Sequence, residues 1–182
     1  INSKMSNIIS DDYLKIQKEL HKNPNYGVAS IKFAPNVKKI MEDAKLSSIS
    51  DYGAGKKNLQ KTLNSLGLNN FQYYPYDPVF PEYGPPKEAD LVCCIDVLEH
   101  IEENYLDNVL DNLKKITKRF GFFTIHSGPA VKVLKDGRNA HLIQKPPSWW
   151  LPKMCSRFEI KHLQEVSGGF VLVTICKDKN IP

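Results

Sequence analysis

The segment ADLVCCID, residues 89–96, most constrains what this chain can fold into, because from Leu91 to Ile95 it offers no polar side chain to either side. A strand points successive side chains to opposite faces, so an unbroken apolar run has to be covered on both. A parallel sheet between two layers of helices meets that condition, since the crossover connections themselves supply the cover.

The rest of the chain alternates accordingly. Ser10, Asp11 and Asp12 precede Tyr13, Ile16 and Leu20 at helical spacing, which predicts a capped helix to about His21, stopping before Pro24. NPNYGVAS reads as a loop; Pro35 suits a first helical turn, and Val37, Ile40, Met41 and Ala44 predict a second helix ending near Leu46. A short strand through Ile49, a turn at Gly53 and Gly55, and a helix carrying Leu59, Leu63 and Leu66 and closed by Gly67 form a strand, loop, helix unit. FQYYPYDP predicts a strand ending at Asp77, and the stretch from Pro78 to Lys87, with Pro81, Pro85 and Pro86, is irregular because proline fixes the backbone and removes donors. Glu102 to Arg119 predicts a helix with Leu106, Val109, Leu110, Leu113 and Ile116 on one face and Lys114, Lys115, Lys118 and Arg119 at its end. GFFTIHSG is the next strand, PSWWLPKMCSRF holds a short helix, and FEIKHLQEV with GFVLVTICK predicts a closing antiparallel hairpin turning at Gly168 and Gly169. The expected architecture is an α/β three-layer sandwich forming one domain over 1–182, with 1–46 as N-terminal helices and lid loop and 47–182 as the core.

Composition narrows the class. A chain of 182 residues, 41% of them hydrophobic, can bury a core and a cleft without staples. Its apolar runs fall far short of the ~20 residues of a membrane helix, and INSKMSNIIS lacks the apolar centre of a secretory leader, so a cytoplasmic location and no membrane partner are expected. Cys93, Cys94, Cys155 and Cys176 show no zinc-site spacing and read as reduced, buried thiols, and no metal is expected. The net charge of +5 comes mostly from scattered lysines, with Arg119, Arg138 and Arg157 the only arginines, which is not the clustered stripe of a nucleic-acid binder.

The turn DYGAGKKN follows a strand, at the end of a parallel sheet where ligands bind. Asn58 occupies the place of the third glycine in a dinucleotide fingerprint, and no Tyr-x-x-x-Lys pair accompanies it, which disfavours a nicotinamide cofactor. Asp51, Tyr52, Gly53, Ala54 and Gly55 resemble motif I of the class I S-adenosylmethionine-dependent methyltransferases, an acidic residue followed by x-G-x-G. The segment ADLVCCIDVLEHI is similar to the motif IV region of the same family. The resemblance implies S-adenosylmethionine as cofactor, with Asp51 near its amino group, the glycine turn beneath it with free backbone amides, and Asp96 and Val97 beside it. It places Glu99 and His100 at the entry to the next helix, where capping is their alternative role. Asp77 stands where the family binds both ribose hydroxyls, and a carboxylate with two acceptor oxygens suits a vicinal diol, with an Asp-Pro turn as the alternative.

The likeness spans about Ser48 to Gly128 and implies a Rossmann-like αβα sandwich, mostly parallel, with a C-terminal antiparallel hairpin. Residues 78–95 are too few for the helix, third strand and adenine loop of the full family fold. Either that strand is lacking after Asp77, or Val79 to Pro86 replaces it and lines the adenine pocket with Phe80 or Tyr83.

Beyond the fourth apparent strand lies an irregular stretch where such enzymes hold their acceptor. His126 and His141 are the candidate general bases, with Glu99 and His100 behind them. Ser127, Asp136, Arg138 and Asn139 are the candidate acceptor contacts, Arg138 because its fork grips an acidic group bidentately, while DGRN also fits a plain turn. Tyr26 and Gly27, in the loop before the core, are placed to close over the cofactor, with ordinary packing as the alternative for Tyr26. The expected activity is methyl transfer to oxygen or nitrogen of a small or modest-sized molecule. DVLEH in place of (D/N)PP(Y/F) and the lack of a Pro-Cys pair weigh against nucleic-acid bases, with a small RNA still open. The alternative is a noncatalytic, methyltransferase-like binding or partner subunit, motivated by the shortened region after Asp77. Nothing in the sequence indicates an oligomeric state.

Overall fold

The computed structural model describes residues 7–176. Residues 1–6, on which part of the expectation of no leader rests, and Lys177, at the end of the expected hairpin, lie outside the described residues.

Six strands, β1 (Ser48–Tyr52), β2 (Gln72–Tyr76), β3 (Ala89–Ile95), β4 (Thr117–His126), β5 (Phe158–Val166) and β6 (Gly169–Cys176), form one sheet in the order β2-β1-β3-β4-β6-β5. The first four are parallel; β6 runs antiparallel to β4, and β5 to β6. The helices are α1 (Asp11–Leu20), α2 (Ala29–Asp43), α3 (Asn58–Ser65), α4 (Leu106–Ile116) and α5 (Pro147–Cys155). Among the described residues no helix is long and apolar enough to cross a membrane.

The apolar run of β3 is covered on both faces, as its composition demands. Leu91, Cys93 and Ile95 pack with Val37 and Met41 of α2 and Leu59 and Leu63 of α3. Val92 and Cys94 pack on the opposite side with Val109 and Leu113 of α4 and Trp150 and Met154 of α5. Full burial of each such aliphatic side chain is worth about 1.5–3 kcal/mol. The proline within β2, Pro75, is tolerated because β2 is an edge strand.

Three expectations need correction. The second helix begins at Ala29, so Pro35 is internal rather than in the first turn. The lost hydrogen bond falls on the carbonyl of Ile31, an exposed residue, while Phe33, Ala34 and Val37 gain burial. The helix expected over 102–119 is shorter at both ends: two 3-10 turns, Leu98–His100 and Glu103–Tyr105, precede α4, and Lys118 and Arg119 belong to β4. Pairing of Thr117 with Ala89 outweighs the helical preference of the two basic residues. Cys155 is exposed; Cys93, Cys94 and Cys176 are buried. Of the two alternatives for the region after Asp77, the strand is lacking: between β2 and β3 there is only the 3-10 turn Pro81–Tyr83.

Candidate functional site

The carboxyl ends of β1, β2 and β3 open into one cleft lined by Asp51, Gly53, Gly55, Asp77, Asp96 and Val97. After β1 the chain turns through Gly53 (φ +82°) and Gly55 (φ +51°), in the left-handed region. Gly53 has a second reason to lack a side chain. A Cβ there would stand 2.4 Å from a methyl of Val97. Val97, two residues past the end of β3, thus fills the space the glycine leaves.

The amides of this turn are not free, contrary to expectation. The Gly53 and Ala54 amides both donate to the carbonyl of Tyr76, at 2.8 and 2.9 Å. The Gly55 amide donates to Asp77 Oδ2 at 2.9 Å, and Asp77 Oδ1 accepts the Val79 amide at 2.9 Å. The turn is therefore fastened to the end of β2, and the polar groups offered to a ligand are mainly carboxylates. Burial raises the pKa of Asp51 to about 7, opposed by the Tyr73 hydroxyl, which donates a short hydrogen bond to it, and reinforced by Asp77. Burial also raises Asp77, against the two amides it accepts. Asp96 adopts φ +51°, a conformation that strains a non-glycine residue, and Thr124 holds it there: the Asp96 amide donates to the Thr124 carbonyl at 3.0 Å, and the Thr124 hydroxyl donates to its carboxylate at 2.7 Å.

The N-terminal segment roofs the cleft. Tyr13 of α1 donates to the carbonyl of His100 at 2.6 Å, Gln17 donates to the Tyr13 hydroxyl at 2.7 Å, and Tyr26 reaches Gln17 Oε1 at 3.4 Å. Ser10 donates through both its amide and its hydroxyl to the Glu102 carboxylate. Tyr26 and Gly27 line the cleft as expected, but Tyr13, Gln17 and His21 also line it, and sequence reasoning missed them. The available signal was polarity at i and i+4 on the apolar stripe of α1: Tyr13 and Gln17 are its buried residues. The expected aromatic wall is corrected as well. Pro78 and Val79 line the cleft, whereas Phe80 and Tyr83 stack on each other at 5.2 Å, outside the lining.

His100 and His141 also line the cleft, their ring centroids 4.8 Å apart. His100 Nδ1 lies 2.8 Å from the Ala140 carbonyl, and His141 Nδ1 lies 2.8 Å from that of Gly128. A carbonyl only accepts, so each Nδ1 carries the hydrogen, and in the neutral ring Nε2 holds the lone pair. Burial pushes the pKa of His100 down to about 4, with repulsion from His141 adding to it, and burial lowers His141 too, so both rings are neutral at pH 7.

No protein-family model and no curated protein sequence matches this chain. Among solved structures it is similar to the 1,6-didemethyltoxoflavin N1-methyltransferase of Burkholderia thailandensis, at 12% identity and a TM-score of 0.63, over 98% of this chain and 94% of that one. It is also similar to the magnesium protoporphyrin IX methyltransferase of Synechocystis PCC 6803, at 11% identity and a TM-score of 0.55, over 92% and 95% of the two chains. Both of those proteins carry bound S-adenosylhomocysteine. This chain has the class I methyltransferase fold.

On that methyltransferase fold, the expected cofactor residues Asp51, Tyr52, Gly53, Ala54, Gly55, Asp77, Asp96 and Val97 all line the one cleft, together with His100 and His141. Other expected residues do not line it. Glu99 is fully buried, its Oε1 accepting the His126 amide at 3.2 Å and its carbonyl accepting the Ile143 amide at 3.0 Å. His126 is outside the lining and packs on the hairpin turn, where a Cβ on Gly168 would meet its Nε2 at 2.5 Å. The Ser127 amide donates to the Gly168 carbonyl. Asn139 braces its own loop, accepting the Ala130 and His141 amides and donating to the Ala130 carbonyl. Asp136 and Arg138 pair with each other in an exposed turn, at 2.7 Å. None of Ser127, Asp136, Arg138 and Asn139 lines the cleft.

Proposed function

We propose that this chain transfers the methyl group of S-adenosylmethionine to an oxygen or nitrogen atom of a small acceptor molecule. The observation that carries the reading is the convergence of Asp51, Asp77 and Asp96, from the ends of three adjacent strands, on one cleft that also holds two neutral imidazoles. A cofactor with an ammonium, a sulfonium and a ribose diol matches three carboxylates, one of which offers two oxygens to vicinal hydroxyls. Asp51 suits the ammonium and Asp77 the diol. Val97, packed over Gly53, forms the apolar floor between them.

In the reaction the acceptor's lone pair forms a bond to the methyl carbon, the carbon–sulfur bond breaks, and its electron pair stays on sulfur, giving S-adenosylhomocysteine. The protein's main contribution is alignment of the attack. The acceptor's proton leaves at the end of the cleft where His100 and His141 present their Nε2 lone pairs. Closure of the cleft by Tyr13, Gln17 and Tyr26 favours an acceptor of modest size. The bound S-adenosylhomocysteine of the two similar structures supports the same reading.

Incubation with S-adenosylmethionine and panels of phenols, hydroxy acids and amines, read as S-adenosylhomocysteine release, tests the activity. The expected result is release with at least one acceptor class that disappears in Asp77→Ala. Release that is equally fast in Asp77→Ala contradicts the assignment of the cleft.

A further inference from the structure

We propose that Glu99, His100 and His141 bind one divalent first-row transition-metal ion at the acceptor end of the cleft. One ligand atom from each of the three lies within 4.8 Å of the others. Ligand bonds of about 2.0–2.2 Å at tetrahedral angles place the donors on a shared ion about 3.4 Å apart, so the group closes on an ion with side-chain shifts of up to about an ångström.

Two features separate this cluster from a chance meeting of polar residues. Both histidines are oriented from behind: each Nδ1–H is tied to a backbone carbonyl at 2.8 Å, leaving Nε2 as the coordinating lone pair. That backing is how metal-binding histidines are held in one tautomer and one orientation. Glu99 is fully buried, and while Oε1 takes the His126 amide, Oε2 has no hydrogen-bond partner. An unsatisfied buried carboxylate oxygen is costly, and a cation beside it removes that cost.

The donor set selects the ion. Two imidazoles and one carboxylate suit zinc, iron, manganese or cobalt, whereas magnesium and calcium favour all-oxygen sites. Three protein ligands leave positions open, and His100 and His141 face the cleft, so the open side is turned to the acceptor. There the ion takes an acceptor oxygen and acidifies its hydroxyl. With both Nε2 lone pairs on the ion, the proton passes to solvent rather than to an imidazole, the oxygen–methyl bond forms, and the carbon–sulfur pair stays on sulfur. This assigns an oxygen acceptor to the site, and that part of the inference rests on the proposed methyl transfer, while binding of the ion does not.

The test is calorimetric titration of the chelator-treated chain with ZnCl2, beside MgCl2, and then with S-adenosylhomocysteine on the same preparation. One zinc per chain is expected, with affinity at or below micromolar and no magnesium binding at equal concentration. Glu99→Gln weakens zinc by at least about tenfold and the His100→Ala/His141→Ala pair by at least about 100-fold, since losing even a group that only orients a ligand costs about 10–100-fold, while His162→Ala, at an exposed histidine of β5, leaves it unchanged. A zinc-induced rise in melting temperature of the unmutated chain reads the same binding without any variant. No zinc binding, or binding that survives in the double variant, overturns the inference. S-adenosylhomocysteine binding without zinc overturns the metal site and leaves the methyltransferase reading standing; zinc without S-adenosylhomocysteine does the reverse.

Discussion

The carboxylate of Asp77 holds the amide of Gly55 at 2.9 Å, tying the end of β2 to the turn that follows β1. The residue proposed for the ribose is thus also a fastener of the glycine turn. Asp77→Ala is expected to weaken S-adenosylhomocysteine binding by about tenfold or more and to lower stability by about 1–3 kcal/mol, because two amides lose their acceptor. Calorimetry and denaturant unfolding on the same variant read both effects. Unchanged affinity removes Asp77 from the cofactor site.

Gly53→Ala forces a Cβ against Val97 in a left-handed conformation, and a destabilisation of about 1–3 kcal/mol is expected. Val97→Ala introduced beside it relieves the steric part and leaves the backbone part. A double-mutant cycle in urea measures the coupling. Strictly additive effects show that the two residues do not meet.

Asp51 gives a pH signature. Its folded pKa of about 7 lies above the ordinary value of 3.8, so the folded chain binds the extra proton between those limits. Its contribution to stability is therefore complete below about pH 4 and is lost as pH rises to 7, on the order of 4 kcal/mol at 1.36 kcal/mol per unit. Unfolding of the wild type and Asp51→Asn across pH 4–8 is expected to show the variant gaining relative stability up to pH 7 and none beyond. The cofactor's ammonium favours the ionised carboxyl, so S-adenosylhomocysteine affinity in the wild type rises toward pH 7 and is flat in the variant. A stability difference independent of pH contradicts the burial of this carboxyl.

Arg138→Ala is expected to change neither S-adenosylhomocysteine affinity nor turnover. Its guanidinium is engaged with Asp136 in an exposed turn outside the cleft, and such a pair is worth less than about 1 kcal/mol. Kinetics with any accepted substrate checks this, and a large loss of turnover returns the turn to the acceptor site.

The sequence was most legible where two requirements coincide on one segment. The β3 run had to be covered on both faces, and DVLEH follows it at once, so both the sheet and the position of Asp96, Val97 and His100 could be read. Boundaries failed where tertiary pairing outweighs local preference: Lys118 and Arg119 read as a helix end until Thr117 pairs with Ala89. The glycine turn looks locally like a source of free amides, and nothing in its own residues reveals that Tyr76 and Asp77 take them. The long loop after β4 was rich in polar residues, and only the folded chain separates His141, which faces the cleft, from Asn139 and Arg138, which do not. Tyr13 and Gln17 were hidden because a buried polar pair on a short helix looks like ordinary packing until the helix is seen to roof the cleft.

Calorimetric titration of the purified chain with S-adenosylhomocysteine, with NAD as the comparison, tests the central claim without knowledge of the acceptor. The account predicts one site of micromolar affinity for S-adenosylhomocysteine and none for NAD. No binding of S-adenosylhomocysteine would contradict it and point to a methyltransferase fold kept for a noncatalytic role.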